Sequence, residues 1–282
     1  MFTAAFIQAW LEASVEAPML MAIRATELVF ALSLTIQTLE YLRMGKYTAD
    51  DAFWSWQLQR SDIPSASVRA LLDGLFKPRV YQLHLWLRLC GAVVLAVQGT
   101  SLPLIGFLFV GNLLILIRWR GAFNGGSDFF TLVVLTGLLI SQVVAAFGHM
   151  QLGWQAGFWY ITIQAITSYF MSGAVKLLRP EWRNGSAMTI FLNGAIYGPL
   201  SATHPLRNKW LSMMGSWGFI VWEIVFPLSL LDPRLAAVFC AVAAFFHFLV
   251  FWFFGLNRFF WAWLCSFPAI IWCSAQFSAR FV

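Results

Sequence analysis

Apolar stretches of about 20 residues recur along the chain between short polar connections, the spacing of helices that cross a ~30 Å hydrocarbon core. The pattern predicts eight spans, near 18–42, 80–99, 102–118, 128–149, 154–177, 210–231, 234–255 and 258–279. Residues 2–15 form a candidate interfacial helix ahead of the first span. Two connections, 43–79 and 178–209, are long, and each holds an apolar piece too short to span, "VRALLDGLF" and "SAMTIFLNG". Such pieces fit interfacial or re-entrant helices. The expected fold is all-α: a polytopic membrane helical bundle of about eight transmembrane helices, forming one domain over residues 1–282.

Composition agrees with the pattern. The chain is 60% hydrophobic and only 11% charged, whereas a soluble domain carries about 25% charged residues. No basic residue precedes the apolar part of the first twenty residues, and Glu12 and Glu16 sit where a cleavage region would be, so a signal peptide is not expected. Cys90, Cys240, Cys265 and Cys273 lie in apolar runs without CxxC spacing and read as packing residues. The net charge of +6 belongs, in such a chain, to loops beside lipid headgroups rather than to nucleic-acid binding. Membrane lipids are therefore the first expected partners.

Of the eighteen basic residues, fourteen fall in the loops after spans 1, 3, 5 and 7, and only Arg234 and Arg280 fall on the other side. A missed or extra span would scramble this asymmetry. The positive-inside rule places the basic loops in the cytoplasm.

Charges and histidines inside spans need an account, because each charge costs ~2.5–3.5 kcal/mol on insertion scales. Arg24 and Glu27 stand three apart on one helix face, as a neutralising pair or with Arg24 as an anion-binding group. Glu223 stands four residues before Pro227, which frees the carbonyl of residue 223 from its helical bond. The acid is then either a proton or cation site or part of a simple kink. His247 lies mid-span, as an interhelical hydrogen-bond partner or a ligand. In "RWRGAFNGGSDFFTLV", Asn124 and two glycines form a tight turn, and Asp128 opens the next helix as a cap or first-turn residue. No HExxH, His/Cys cluster or Ser-His-Asp constellation stands out, so no metal is expected.

Lys176 ends the fifth span, in "YFMSGAVKLLRPEWRNGSAM". One reading is a snorkelling interfacial lysine backed by Trp182. The other is an amine desolvated enough to serve as a base. The order Tyr169, Phe170, Gly173, Lys176, Leu177, Trp182, Gly185, Ser186, Met188 resembles the vitamin K-dependent γ-carboxylase family and its bacterial HTTM (horizontally transferred transmembrane) relatives. Arg24, Asn124, Asp128, Glu223 with Pro227, and Phe246 with His247 extend the likeness over nearly the whole chain.

The resemblance implies a membrane enzyme in which Lys176 is the base. Arg24, Glu27, Asn124, Asp128, Trp182, Glu223 and His247 would support it or bind substrate. It also implies a quinol or vitamin K-like lipid cofactor, a peptide or small acidic substrate, and a bacterial plasma (inner) membrane. Gly126 stands where the carboxylases carry a histidine, and "HFLVFWFFGL" lacks their asparagine. These departures argue against complete γ-carboxylation and point to the small bacterial members. The carboxylases work facing the lumen, so the resemblance places the Lys176 loop outside; the basic-residue count places it inside and is preferred for such short loops. The alternative functions are a non-catalytic membrane component for maturing a secreted peptide, acting with a small partner protein, and a transporter. Paired half-helices of the transporter type are not evident.

Overall fold

The computed structural model describes residues 2–52, 54–119 and 126–281, with side chains described from Pro18 onward. Among these residues all regular structure is helical. The helices are α1 (Phe2–Arg43), α2 (Trp56–Gln59), α3 (Ala66–Leu75), α4 (Pro78–Gln98), α5 (Leu102–Arg118), α6 (Gly126–Ala146) and α7 (Met150–Leu178). They continue as α8 (Pro180–Arg183), α9 (Ser186–Asn193), α10 (Lys209–Val225), α11 (Pro233–Phe254), α12 (Asn257–Leu264) and α13 (Phe267–Phe281). Among the described residues six segments are long and apolar enough to cross a membrane: Pro18–Arg43, Pro78–Gln98, Gly126–Ala146, Lys209–Leu231, Pro233–Phe254 and Asn257–Phe281. The other two segments expected to span are also helical. α5 is apolar but only 17 residues long. α7 has 29 residues, about 44 Å of helix, with its hydropathy lowered by Trp, Gln, Tyr and Ser.

The separate interfacial helix expected over residues 2–15 is not separate. α1 runs unbroken from Phe2 to Arg43 with Pro18 inside it; the missing proline N–H removes one backbone bond without ending the run. Pro227 acts more locally. Beyond α10 the chain tightens into a 3₁₀ segment, Phe226–Leu231. The carbonyl of Glu223, expected to be freed, accepts the N–H of Phe226 instead.

Polar pairing and small residues set the helix packing. α6 and α7 form the closest antiparallel pair. A Cβ on Gly157 would lie 2.4 Å from the Gly137 carbonyl oxygen, a small-residue contact of the kind that lets membrane helices touch backbone to backbone. The main core gathers buried residues from α1, α4, α5, α6, α7, α11, α12 and α13. A second core of Tyr41, Trp56, Leu72, Phe76, Tyr81, Leu85, Ile115 and Trp119 lies at the end rich in basic residues.

At that end Arg118 closes α5 by donating to Gln59 Oε1 (3.1 Å) and to the carbonyls of Thr48 (3.2 Å) and Trp54 (2.7 Å). This pins the 43–79 connection under the bundle. The 178–209 connection is tied by Ile196 N–H to the Phe253 carbonyl, 2.9 Å, at the end of α11. Just past that point Arg258 reaches Glu40, near the end of α1. Both long connections therefore share one end, as the basic residues require. Within the first, Arg60 grips Asp73 through two bonds of 3.0 and 2.6 Å, and Trp56 Nε1 adds a third of 2.7 Å. The hydrogen bonds from Arg60 and then Trp56 hold the Asp73 carboxyl below the usual carboxylate range.

Two outcomes follow for this end. Cysteines placed at the exposed Lys46 and Ser201 should be modified from the same side by a membrane-impermeant maleimide; labelling from opposite sides would contradict the topology. A carboxyl whose folded value is depressed stabilises fully above its unfolded value and loses that contribution as pH falls through the folded one. Hydrogen-exchange protection of residues 56–75 should therefore fall on acidification below the carboxylate range, after correction for intrinsic rates. Asp73→Asn should show the lower protection at neutral pH already.

Candidate functional site

The last two turns of α7 bring together the one lysine–carboxylate clasp found among the described residues. Gly173 lets α7 approach α10, since a Cβ there would meet Glu223 Cβ at 2.8 Å and Ile224 N at 2.9 Å. One turn on, Lys176 Nζ donates to Glu223 Oε1 (2.7 Å) and Oε2 (2.6 Å) and to Ser172 Oγ (2.6 Å). Ser172 in turn donates to Glu223 Oε1 at 3.1 Å. The side chains of Lys176 and Glu223 are 15% and 3% exposed, so the lysine does not snorkel to the headgroups. Trp182 lies over the ammonium, 5.2 Å from ring centroid to Nζ. α8 holds it there, because the Trp182 carbonyl accepts from Ser216 Oγ (2.5 Å) and the Arg183 carbonyl from Trp217 Nε1 (3.0 Å).

Seven residues earlier on the same face of α7, the Tyr169 hydroxyl meets His247 Nε2 at 2.8 Å. Tyr169 stacks on Phe226 at 4.1 Å and His247 on Trp263 at 5.0 Å. His247 is therefore an interhelical hydrogen-bond partner, joined to Lys176 through α7 rather than by direct contact.

The other expected site residues lie elsewhere. Arg24 and Glu27 pair at 3.0 Å, at the far end of α4. Arg24 caps that helix by donating to the carbonyls of Leu95 and Ala96, and Glu27 accepts the N–H of Thr100 at 2.7 Å. This satisfies carbonyls that a helix end leaves bare. The pair does not border the Lys176 site. Asp128 is in the first turn of α6, but it is no surface cap. It is buried, accepting from Gln37 Nε2 (2.8 Å), Tyr41 (3.1 Å) and Arg258 Nη1 (3.1 Å). Asn124 lies outside the described residues.

Sequence reasoning missed the rest of that network. Arg88 is fully buried and donates to Thr38 Oγ1 (2.5 Å), Gln37 Oε1 and Asn112 Oδ1 (3.3 Å). Arg258 also pairs with Glu40 at 3.1 Å, and Glu40 accepts from Asn257 at 2.9 Å. The available signal was the run of polar residues on one face of α1, Gln37, Glu40 and Tyr41, at helical spacing. Ser172, at i−4 from Lys176, carried a similar signal.

No group of three or more His, Cys, Asp or Glu side chains able to hold a metal is found among the described residues. The arrangement does not fit a preformed quinol pocket at Lys176. An ammonium has three donors, and all three are engaged. Two surface concavities, one under α3 and one between α4 and α5, are both lined by other residues. What the clasp can do is exchange a proton between an amine and a carboxylate, with a bridging hydroxyl. No family model, curated protein or solved structure matches the chain.

Removing one partner of a buried pair leaves an uncompensated charge and costs about 3–5 kcal/mol, whereas replacing both by apolar residues is often near neutral. Lys176→Met and Glu223→Met should each lower stability in chemical unfolding from detergent or nanodiscs, and the double variant should recover most of the loss. Additive losses would contradict the pairing.

Proposed function

We propose that the chain is a membrane-embedded enzyme of the carboxylase-like HTTM class, with eight spans in a bacterial plasma membrane, that modifies a peptide or small acidic substrate. Lys176 is the base in this reading. The observation that carries it is the Lys176–Glu223–Ser172 clasp, since the resemblance singles out that lysine and the geometry gives it a carboxylate able to take its proton. Transfer of one proton from Nζ to Glu223 leaves a neutral amine beside a neutral carboxyl, both suited to an apolar surrounding. The amine lone pair can then accept a proton from a substrate that reaches it past Trp182. Ser172 keeps both groups aligned by accepting from one and donating to the other. A quinol is the lipid-soluble co-substrate that the resemblance suggests; no step here is routed through it.

A second reading is a non-catalytic component for maturing a secreted peptide. It is favoured by the saturation of the ammonium, which suits a staple between α7 and α10 as well as a base.

Lys176→Arg separates the two. Guanidinium keeps the charge and can pair with Glu223, but it is effectively never deprotonated. If Lys176 is the base, the arginine variant should express and fold like wild type and lose activity by roughly 10²-fold or more, measured as the mass shift of a co-expressed peptide substrate. Full activity in a well-folded Lys176→Arg protein would remove the base role and leave the staple.

A further inference from the structure

The end of the bundle rich in basic residues carries two concavities unrelated to Lys176, and one wall of aromatic rings joins them. The first, of about 380 Å³, lies where α3 meets the start of α4 and is lined by Asp50, Trp56, Arg60, Asp73, Phe76 and Lys77, among others. The second, of about 290 Å³, is an apolar groove between α4 and α5, lined by His84, Gly106, Phe107, Val110, Gly111 and Leu114. Ring centroids run from one to the other: Trp56 to Phe76 at 4.7 Å, Phe76 to Tyr81 at 6.0 Å, Tyr81 to His84 at 6.2 Å, and His84 to Phe107 at 6.2 Å. Lys77 is the N-cap residue of α4 and His84 lies two turns into that helix, roughly 10 Å further along its axis. The polar concavity sits at the mouth of the span and the apolar one directly below it. That is the order of headgroup and acyl chain in a bilayer leaflet.

The charges state which headgroup fits. Arg60 and Asp73 neutralise one another through two hydrogen bonds. The Lys77 and Asp50 side chains are exposed and make no hydrogen bond or ion pair among the described residues, and Arg118 acts on Asp50 only as a more distant charge. One cation and one acid whose side chains lack a hydrogen-bonded partner, facing a single concavity, match a headgroup that carries both a phosphate and a primary amine. A purely anionic headgroup would leave the Asp50 carboxylate without a hydrogen-bonding partner. We propose that this end of the protein holds one phosphoethanolamine phospholipid, its phosphate at Lys77, its ammonium at Asp50 and an acyl chain in the groove beside His84. The groove lies at the lower end of the size range of small-molecule pockets, roughly 300–1,000 Å³, which suits a length of single chain better than a fused-ring ligand.

Gly106 supplies a clean test, because a Cβ there would meet nothing within 4 Å. Leucine at that position fills the groove without disturbing the helix pair and replaces a poor helix former with a good one. The full-length protein is reconstituted in nanodiscs containing equal parts of phosphatidylethanolamine, phosphatidylcholine and phosphatidylglycerol. It is then released into mild detergent, and the retained lipid is identified by native mass spectrometry. Wild type should keep one phosphatidylethanolamine in preference to the other two. Gly106→Leu should lose it while its melting temperature holds or rises. Lys77→Ala should retain it roughly fivefold less well, as expected for one basic residue at a lipid surface, and Asp50→Asn should abolish the preference over phosphatidylglycerol. Equal retention of all three lipids, or retention by Gly106→Leu equal to wild type, would overturn the assignment and leave ordinary annular lipid. Should Gly106→Leu fail to fold, the two surface variants decide alone: unchanged selectivity in both would overturn it.

Discussion

The cost of an unpaired charge in hydrocarbon governs how this bundle is put together. The buried acids and bases are met by partners on other elements of the bundle, and those meetings decide which helices touch. Arg24 and Glu27 bind α1 to the far end of α4. Arg258 joins α12 to α6 through Asp128 and to α1 through Glu40. Lys176 joins α7 to α10 through Glu223. Lipid tails give no hydrophobic preference for one helix face over another, so close packing and polar pairing carry the specificity. Arg88 shows how far this goes. It is buried among neutral acceptors, Thr38, Gln37 and Asn112, and the amide of Gln37 passes the interaction on to Asp128.

What could be read from the sequence follows from which interactions are local. The helical segments were legible because a span needs about 20 apolar residues, a property of the chain alone. Arg24 with Glu27 was legible too, being an i, i+3 pair. Lys176 and Glu223 were each conspicuous, but their pairing was not: they are 47 residues apart, and they meet because Gly173 lets two backbones approach. The first-turn position of Asp128 is legible in the sequence and holds in α6, but its partners Tyr41 and Arg258 are not, being 87 and 130 residues away. Gln37 and Asn112 leave little trace in the sequence because neutral amides barely disturb a hydropathy profile, although Arg88 depends on them.

The pairs are not equivalent, and the difference bears on function. Of the four lysines, Lys46, Lys77 and Lys209 are exposed and only Lys176 is not. The other buried cations are arginines, whose guanidinium stays charged under any protein condition. An arginine–carboxylate pair in the bundle can only remain ionic, and it acts as a fixed strut. A lysine–carboxylate pair has a second state, reached by moving one proton over less than 3 Å, in which both groups are neutral and neither needs the other's charge. Pure stapling of α7 to α10 would be served by arginine, the residue this chain uses for its other internal cations. If Lys176 is the proposed base, the choice of lysine at position 176, with a serine bridging amine and acid, is the feature of this clasp that serves that role.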